Sequence, residues 1–239
     1  MNGKAIIKFL VVIAAIIGLF AYFIQPLAGS LKQGLDLQGG THIVLEAEDS
    51  ATGQADNDAV ERAKQILERR INEMGLSEPL VQREGARRII IELPGVKDPD
   101  EAIKRIGKTA VLEFKNDQGQ TVMTGDDLKD AKEELGQNKQ PLVAIELSDE
   151  GAKKFADLTS KNIGRRIAIT LDGKELTNPV VQQAITGGKA TISGSQSLEE
   201  AKDLAILLRS GALPVKINVL EVRTVGPSLG QDSKDKSIV

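Results

Sequence analysis

The sharpest change in pattern along the chain comes at residue 25. From Ala5 to Ile24 the only charged side chain is Lys8, and twenty residues rising about 1.5 Å each cover the roughly 30 Å of bilayer hydrocarbon. The pattern predicts a spanning helix. Lys4 and Lys8 lie on its amino side, so the positive-inside tendency leaves Met1 in the cytoplasm and everything after Gln25 outside it. A cleaved signal peptide is the rival reading. Gln25-Pro26-Leu27-Ala28-Gly29-Ser30 offers no small-x-small cleavage site, and the apolar run exceeds the roughly 7 to 15 residues of a signal core, so a retained anchor is favoured.

Beyond the anchor the periods alternate between two and 3.6. Ile43, Leu45 and Ala47 fall on one side of a strand over residues 41–47, with His42, Val44 and Glu46 on the other. Ala59, Ala63, Ile66, Leu67, Ile71 and Met74 recur at helical spacing before Gly75, which predicts a helix over 54–74. Residues 80–83 and 88–93 flank Glu84-Gly85-Ala86 as a hairpin. Asp98-Pro99-Asp100-Glu101 supplies an N-cap, a proline at the first helical position and acidic residues in the first turn. Thr109 to Lys115 reads as a further strand. Residues 41–115 thus run strand, helix, strand, strand, helix, strand, the split-βαβ, ferredoxin-like order.

After a turn at Asn116-Asp117-Gln118-Gly119-Gln120, the acidic segment Asp126 to Glu134 predicts an exposed helix. Pro141 to Leu147 is a strand. Ser148 caps a helix carrying Ala152, Phe155, Ala156 and Thr159, and residues 165–171 form a strand turning at Asp172-Gly173. Ser197 with Glu200 makes a capping box for a helix closed by Gly211, and residues 215–225 give a long last strand. That helix and strand are expected to rejoin the first sheet. Residues 142–225 loosely repeat the order of 41–115, without residue-level similarity.

Composition then removes whole classes of chemistry. With no Cys and a single His, disulfides, thiolate metal sites, thiol redox chemistry and two-histidine metal motifs cannot be written. Aromatic residues make up 3% with no Trp, and net charge is −3 without a long basic run, which argues against nucleic-acid binding. No cofactor or metal is expected.

The remaining candidates for chemistry have plain structural readings. Gly34-Leu35-Asp36-Leu37-Gln38-Gly39-Gly40 could cradle a phosphate, but a strand follows where a phosphate nest needs a helix, so a constrained turn at the membrane exit is expected. His42, the one side chain whose ordinary pKa lies near neutrality, stands on a strand without a designated partner. The pairs Asp126/Asp127 and Glu133/Glu134 are sequence neighbours that do not face each other on a helix, and no calcium loop surrounds them. Gly187-Gly188-Lys189 and Ser193-Gly194 bracket a short strand as turns. No catalytic constellation emerges, and an enzyme is not expected.

Five segments together resemble the SecD family of bacterial Sec-translocon accessory subunits: residues Gly34 to His42; Glu92-Leu93-Pro94-Gly95-Val96; Ala184 to Ala190 leading to Ile192-Ser193-Gly194; Leu207 to Pro214; and Val225-Gly226-Pro227-Ser228-Leu229-Gly230. The resemblance covers nearly the whole chain. It implies an α+β protein with one N-terminal transmembrane helix, a membrane-proximal ferredoxin-like base and an inserted smaller α+β head. The expected organisation is 1–30 for the cytoplasmic end and anchor, 31–115 with 195–226 for the base, 116–194 for the head, and 227–239 for a linker towards a second membrane helix that, like the ion-pathway residues, these 239 residues do not contain. It further implies work beside SecF and the SecYEG channel in the bacterial cytoplasmic membrane, in contact with lipid, promoting export of unfolded secretory polypeptides at the expense of the proton or sodium gradient. The head is expected to engage the emerging chain and swing relative to the base. Phe155, Leu158, Ile163 and Ile185 are contact candidates only if they are not core, and core is the favoured fate of each. The alternative function is a membrane-anchored extracytoplasmic binding or scaffold module without ion coupling.

Overall fold

The computed structural model describes residues 39–49, 54–76, 79–96 and 98–226, with Val12, Ile13 and Leu35. Val12 and Ile13 are helical and exposed. The rest of the expected span over residues 5–24 lies outside the described residues. Among the described residues no helix is long and apolar enough to cross a membrane. The architecture is mixed α+β, with four α-helices and eleven strands among the described residues.

A first four-stranded sheet is assembled from both ends of the chain. β1 (Gly40–Glu48) leads into α1 (Asn57–Glu73), the hairpin of β2 (Leu80–Glu84) and β3 (Arg88–Pro94), and α2 (Pro99–Ile106). β11 (Lys216–Val225) then returns to pair antiparallel with β1, giving the order β11-β1-β3-β2. α2 starts where its cap predicts, the Asp98 carboxylate accepting from the Glu101 N–H (3.1 Å), whereas α1 starts at Asn57 rather than at the expected residue 54, with the Asp56 carboxylate accepting from the Ala59 N–H (2.7 Å). Ile43, Leu45, Ile89, Ile91 and Leu93 from the sheet and Val60, Leu67 and Ile71 from α1 are almost wholly buried together. Burial of each contributes about 1.5–3 kcal/mol against the unfolded chain. Two expectations are corrected here. The fourth strand of this sheet is residues 216–225 and not 109–115, because the chain leaves after α2 and comes back only after Gly211. Of the last helix and strand, only the strand joins the first sheet.

The intervening residues build a second, separate core. β4 (Leu112–Lys115) pairs with β5 (Thr121–Thr124) and with β8 (Ala168–Leu171), which pairs with β9 (Lys174–Thr177). β6 (Leu128–Leu135), β7 (Pro141–Leu147) and β10 (Lys189–Ser193) form a three-stranded sheet with β7 in the middle. α3 (Asp149–Lys161), capped by Ser148, turns Phe155 edge-on to Phe114 with ring centroids 5.9 Å apart. α4 (Leu198–Ser210) closes this core with Ala201, Leu204, Ala205 and Leu208, packed on β6 and β7. The second core therefore reaches past the divisions expected at 115/116 and 194/195, taking Leu112 and Phe114 at one end and α4 at the other.

The segment Asp126 to Glu134 is not a helix. Residues Gly125–Asp127 make one 3-10 turn, and the rest is β6, in register with β7 from Leu128↔Leu147 to Leu135↔Pro141. Its Lys and Glu residues favour helix by intrinsic propensity. A five-residue connection to β7 and the covering α4, which buries Ala131, override that preference.

Candidate functional site

The first motif ends in a turn whose geometry demands glycine. The Gly39 N–H donates to the Leu35 carbonyl at 2.8 Å, and its φ is 67°. A Cβ on Gly40 would lie 2.3 Å from the Leu93 carbonyl oxygen and 2.9 Å from the Pro94 Cα, so only a residue without a side chain lets β1 approach β3 this closely. The Gly95 N–H donates to the Gly39 carbonyl (2.9 Å) and the Thr41 hydroxyl to the Val96 carbonyl (2.9 Å). Gly40 also pairs with Val225, the first residue of the last motif. Three of the five segments singled out in the sequence thus meet at one end of the first sheet. Apart from the Thr41 hydroxyl the contact is backbone on backbone, and those peptide groups are spent on each other rather than aimed at a ligand. Gly34, Asp36, Leu37, Gln38, Pro227, Ser228, Leu229 and Gly230 lie outside the described residues.

His42 does have a neighbour: its Nδ1 is 3.5 Å from Glu92 Oε1, across the β1–β3 ladder. Asp127 is buried as a structural acid, accepting from the Thr124 N–H (3.2 Å) and from Lys154 Nζ (2.8 Å), and it holds the Lys154 ammonium above its ordinary value. Its neighbour Asp126 and the pair Glu133 and Glu134 point to solvent or its margin. No three acidic or histidine side chains among the described residues are grouped so as to hold a metal ion.

A groove of about 730 Å³ lies in the second unit. Its apolar wall is made by Ile145 of β7, Phe155 of α3, Ile169 of β8 and the segment Pro179 to Val181. Asp130, Glu134, Glu146, Lys132 and Lys189 stand at its margin. Three of these are already paired: Glu146 with Lys129 at 2.6 Å, and Asp130 with Lys132 at 3.1 Å. The Lys129 ammonium holds the Glu146 carboxyl below its ordinary range. The margin therefore carries both signs, mostly neutralised, around an apolar wall, which suits an uncharged or mixed-sequence ligand better than an ion.

The segment containing Ala184 to Ala190 lines this groove through Ile185, Lys189 and Ala190. Of the other contact candidates, Phe155 and Leu158 are buried, while Ile163 is 55% exposed. Sequence reasoning missed Arg70, which is fully buried in α1, and the cross-unit pairs Arg105–Asp203 and Arg209–Glu73. Arg70 was visible as a charge in phase with the apolar stripe Ala63, Leu67, Ile71 and Met74 of its helix.

Fold and groove define an α+β module with an inserted second unit and a ligand-sized apolar concavity, and the comparisons with known proteins agree on what carries such a module. The family model of the SecDF P1 head subdomain matches residues 103–215, that of the N-terminal P1 domain of protein translocase subunit SecDF matches 60–119, and that of the SecD/SecF GG motif matches 31–51. The protein translocase subunit SecD of Acidaminococcus fermentans is 58% identical over 238 residues, all of this chain and 57% of that protein. A crystal structure of SecDF in a super-membrane-facing form superposes with a TM-score of 0.75 at 41% identity, over 87% of this chain and 33% of that one. A structure described as a membrane component SecDF that enhances protein export gives 0.69 at 40% identity, over 76% of this chain and 99% of that one. The chain belongs to the SecD family of protein translocase subunits. It spans a little over half the length of the Acidaminococcus relative.

Proposed function

We propose that this chain serves as the extracytoplasmic part of a Sec protein-export accessory subunit, anchored in the bacterial cytoplasmic membrane by residues 5–24 with its amino terminus in the cytoplasm. The first unit is then a membrane-proximal ferredoxin-like base, a reading supported by the β11-β1-β3-β2 order with two crossing helices. The second unit is the head, and it engages unfolded secretory polypeptide as that emerges from the SecYEG channel. SecF is the partner subunit, and the proton or sodium gradient drives the cycle.

The observation that carries polypeptide engagement is the groove with its apolar wall and charge-balanced margin. Exported chains share no sequence, so a surface that handles them must gain from apolar side chains generally while neither sign of charge is repelled. The test is site-directed photo-crosslinking to an arrested secretory precursor in membranes containing the whole translocon. Probes at Gln183 and Thr191 in the groove are expected to form adducts, and probes at Glu84 and Ala86 on the base hairpin are not. Absence of adducts from every groove position, with the precursor arrested in the channel, overturns chain engagement and leaves the scaffold role.

A further inference from the structure

β10 is one edge of the three-stranded sheet in the second unit, pairing with β7 and with no other strand. The Leu147 N–H donates to the Gly188 carbonyl at 2.8 Å, which fixes the phase of the ladder. Peptide groups of an antiparallel pair alternate between facing the partner strand and facing away. Lys189↔Glu146, Ala190↔Ile145 and Thr191↔Ala144 stand in register without a bulge, so the N–H and C=O of Lys189 and Thr191 face away from β7. Among the described residues nothing bonds to these four groups. Lys189, Ala190 and Thr191 line the groove together with Phe155, Val180 and Ile185, so the open edge and the apolar wall share one concavity.

The opposite edge of the same sheet is blocked. Ala131 of β6 stands opposite Ile145, and because Ile145 spends its own peptide groups on Ala190, those of Ala131 face outward. The Ala131 carbonyl accepts from Arg209 Nη1 (2.8 Å), its N–H donates to the Asp130 carboxylate (2.9 Å), and α4 packs along the strand. An open strand edge is a template for pairing with another chain, and proteins ordinarily close it with a proline, a bulge or a covering element. β10 contains no proline and pairs without a bulge. Its free stretch is short. Ser193 Oγ is 3.4 Å from Thr177 Oγ1, and a Cβ on Gly194 would stand 2.8 Å from the Leu176 carbonyl oxygen, so β9 closes the far end. What remains suits about five residues of extended chain at about 3.4 Å each.

We propose that the groove takes its polypeptide as an added β-strand on the free edge of β10, bonded through the peptide groups of Lys189 and Thr191, with alternate guest side chains laid against Phe155, Val180 and Ile185. The proposal rests on the reading of the second unit as the part that engages exported chain, and it adds what that chain must present: a short extended stretch with free peptide groups at alternate positions. Main-chain bonds are the same for every sequence, while the side chains facing the wall add a preference for apolar and β-branched residues. A proline in the bonding phase is rejected, since it has no N–H to give. A folded protein has already spent its peptide groups internally. The edge therefore separates unfolded from folded cargo by main chain rather than by sequence.

The test uses the full chain in detergent micelles and a short, capped, uncharged peptide of alternating valine and threonine carrying a fluorophore. The alternation fixes which side chains face the wall and hence which amides face β10. Anisotropy titrations compare the parent peptide with two versions N-methylated at a pair of central amides, one pair in each phase. One version is expected to bind at least about tenfold more weakly, having lost two hydrogen bonds, and the other to bind as the parent does. Hydrogen exchange resolved at single amides is expected to slow at Lys189 and Thr191 on saturation with the parent peptide and to stay unchanged at Ala190, whose N–H is already bonded to β7. Thr191→Pro removes one outward donor and spares the β7 ladder, so it is expected to weaken the peptide about fivefold or more, whereas Thr191→Ser is not. The methylated peptides decide the matter even where the proline variant fails to fold. Equal binding of both methylated versions, with exchange at Lys189 and Thr191 unmoved, overturns strand addition and leaves chain engagement through side chains standing. Absence of binding by the parent peptide overturns strand addition and the engagement reading together.

Discussion

Replacing Arg70 by Met is the most informative single perturbation of stability, because the side chain is wholly buried and its bonds go mainly to backbone that has nothing else to bond. The Ser210 hydroxyl, which accepts from Arg70 Nε at 3.1 Å, keeps a second partner, the Leu207 carbonyl at 3.1 Å. The Ile106, Lys108 and Gly211 carbonyls lose theirs. A buried carbonyl left unpaired costs about 1–3 kcal/mol, and with the Ile106 carbonyl buried and those of Lys108 and Gly211 only partly so, the three cost about 5 together. Against this stands the penalty for burying the charge. Burial pushes the Arg70 guanidinium down to about 10, only partly offset by the Asp172 carboxylate, and that penalty of about 3 kcal/mol disappears with a neutral side chain. The sign is fixed: a depressed cation is penalised at every pH below its folded value, so the whole offset applies at neutrality. The net expectation is a loss of about 2 kcal/mol, or about 4–8 °C in Tm for a chain of this size. Urea and thermal unfolding followed by circular dichroism at pH 7 read it directly. Arg70→Lys keeps the charge but not the fork, and should recover less than half. A change below about 1 kcal/mol in Arg70→Met would refute the assignment of Arg70 as the tie between the segments around Lys108 and Gly211.

Gly151→Ala inverts a familiar sign: Ala normally stabilises a helix by about 0.5–1 kcal/mol, but here its Cβ would stand 2.3 Å from the Asp127 carbonyl oxygen, so the variant should lower the urea midpoint, and a raised midpoint would contradict the packing of α3 on the 3-10 turn. Glu113 is held below its ordinary value first by Lys115 and then by Thr121; its contribution is present above about pH 4.5 and lost as pH falls through the lower folded value, so Glu113→Gln should flatten the loss of stability between pH 6 and pH 3, and parallel profiles would count against it. Phe114→Ala, which opens the second core at a cost of about 3–5 kcal/mol, should also lower hydrogen-exchange protection in β1 and β11 of the first sheet; unchanged protection there would mean the two units fold independently.

Much of this fold was legible because the signals are local. The Asp98, Ser148 and Ser197 caps start helices where the sequence places them, and the alternation of Ile43, Leu45 and Ala47 marks the buried face of β1. What failed was non-local. β6 is a strand of helix-forming residues held by β7 and α4. The strand at 112–115 is real, but its partners are β5 and β8, and no local pattern says that the sheet begun by β1 waits for residue 216. At the candidate site, the glycines at 39 and 40 announced a tight turn, while the groove wall combines four elements far apart in sequence. Arg70 broke the apolar phase of α1, a conflict between pattern and residue that marks a special position.

The delayed fourth strand has an energetic consequence that links the two units. β11 reaches β1 after an excursion of about 100 residues beyond α2, and closing a flexible loop of that length costs about 4 kcal/mol from the logarithmic term alone. A folded second unit removes most of that cost, because it delivers Ala110 and Leu213 side by side. The Ala110 and Val111 N–H groups are held by the Asp172 carboxylate at 3.1 and 2.9 Å, and the Leu213 N–H by the Thr109 carbonyl. Arg70 then fastens both segments to α1. The first sheet is therefore stabilised through the second core without sharing its side chains.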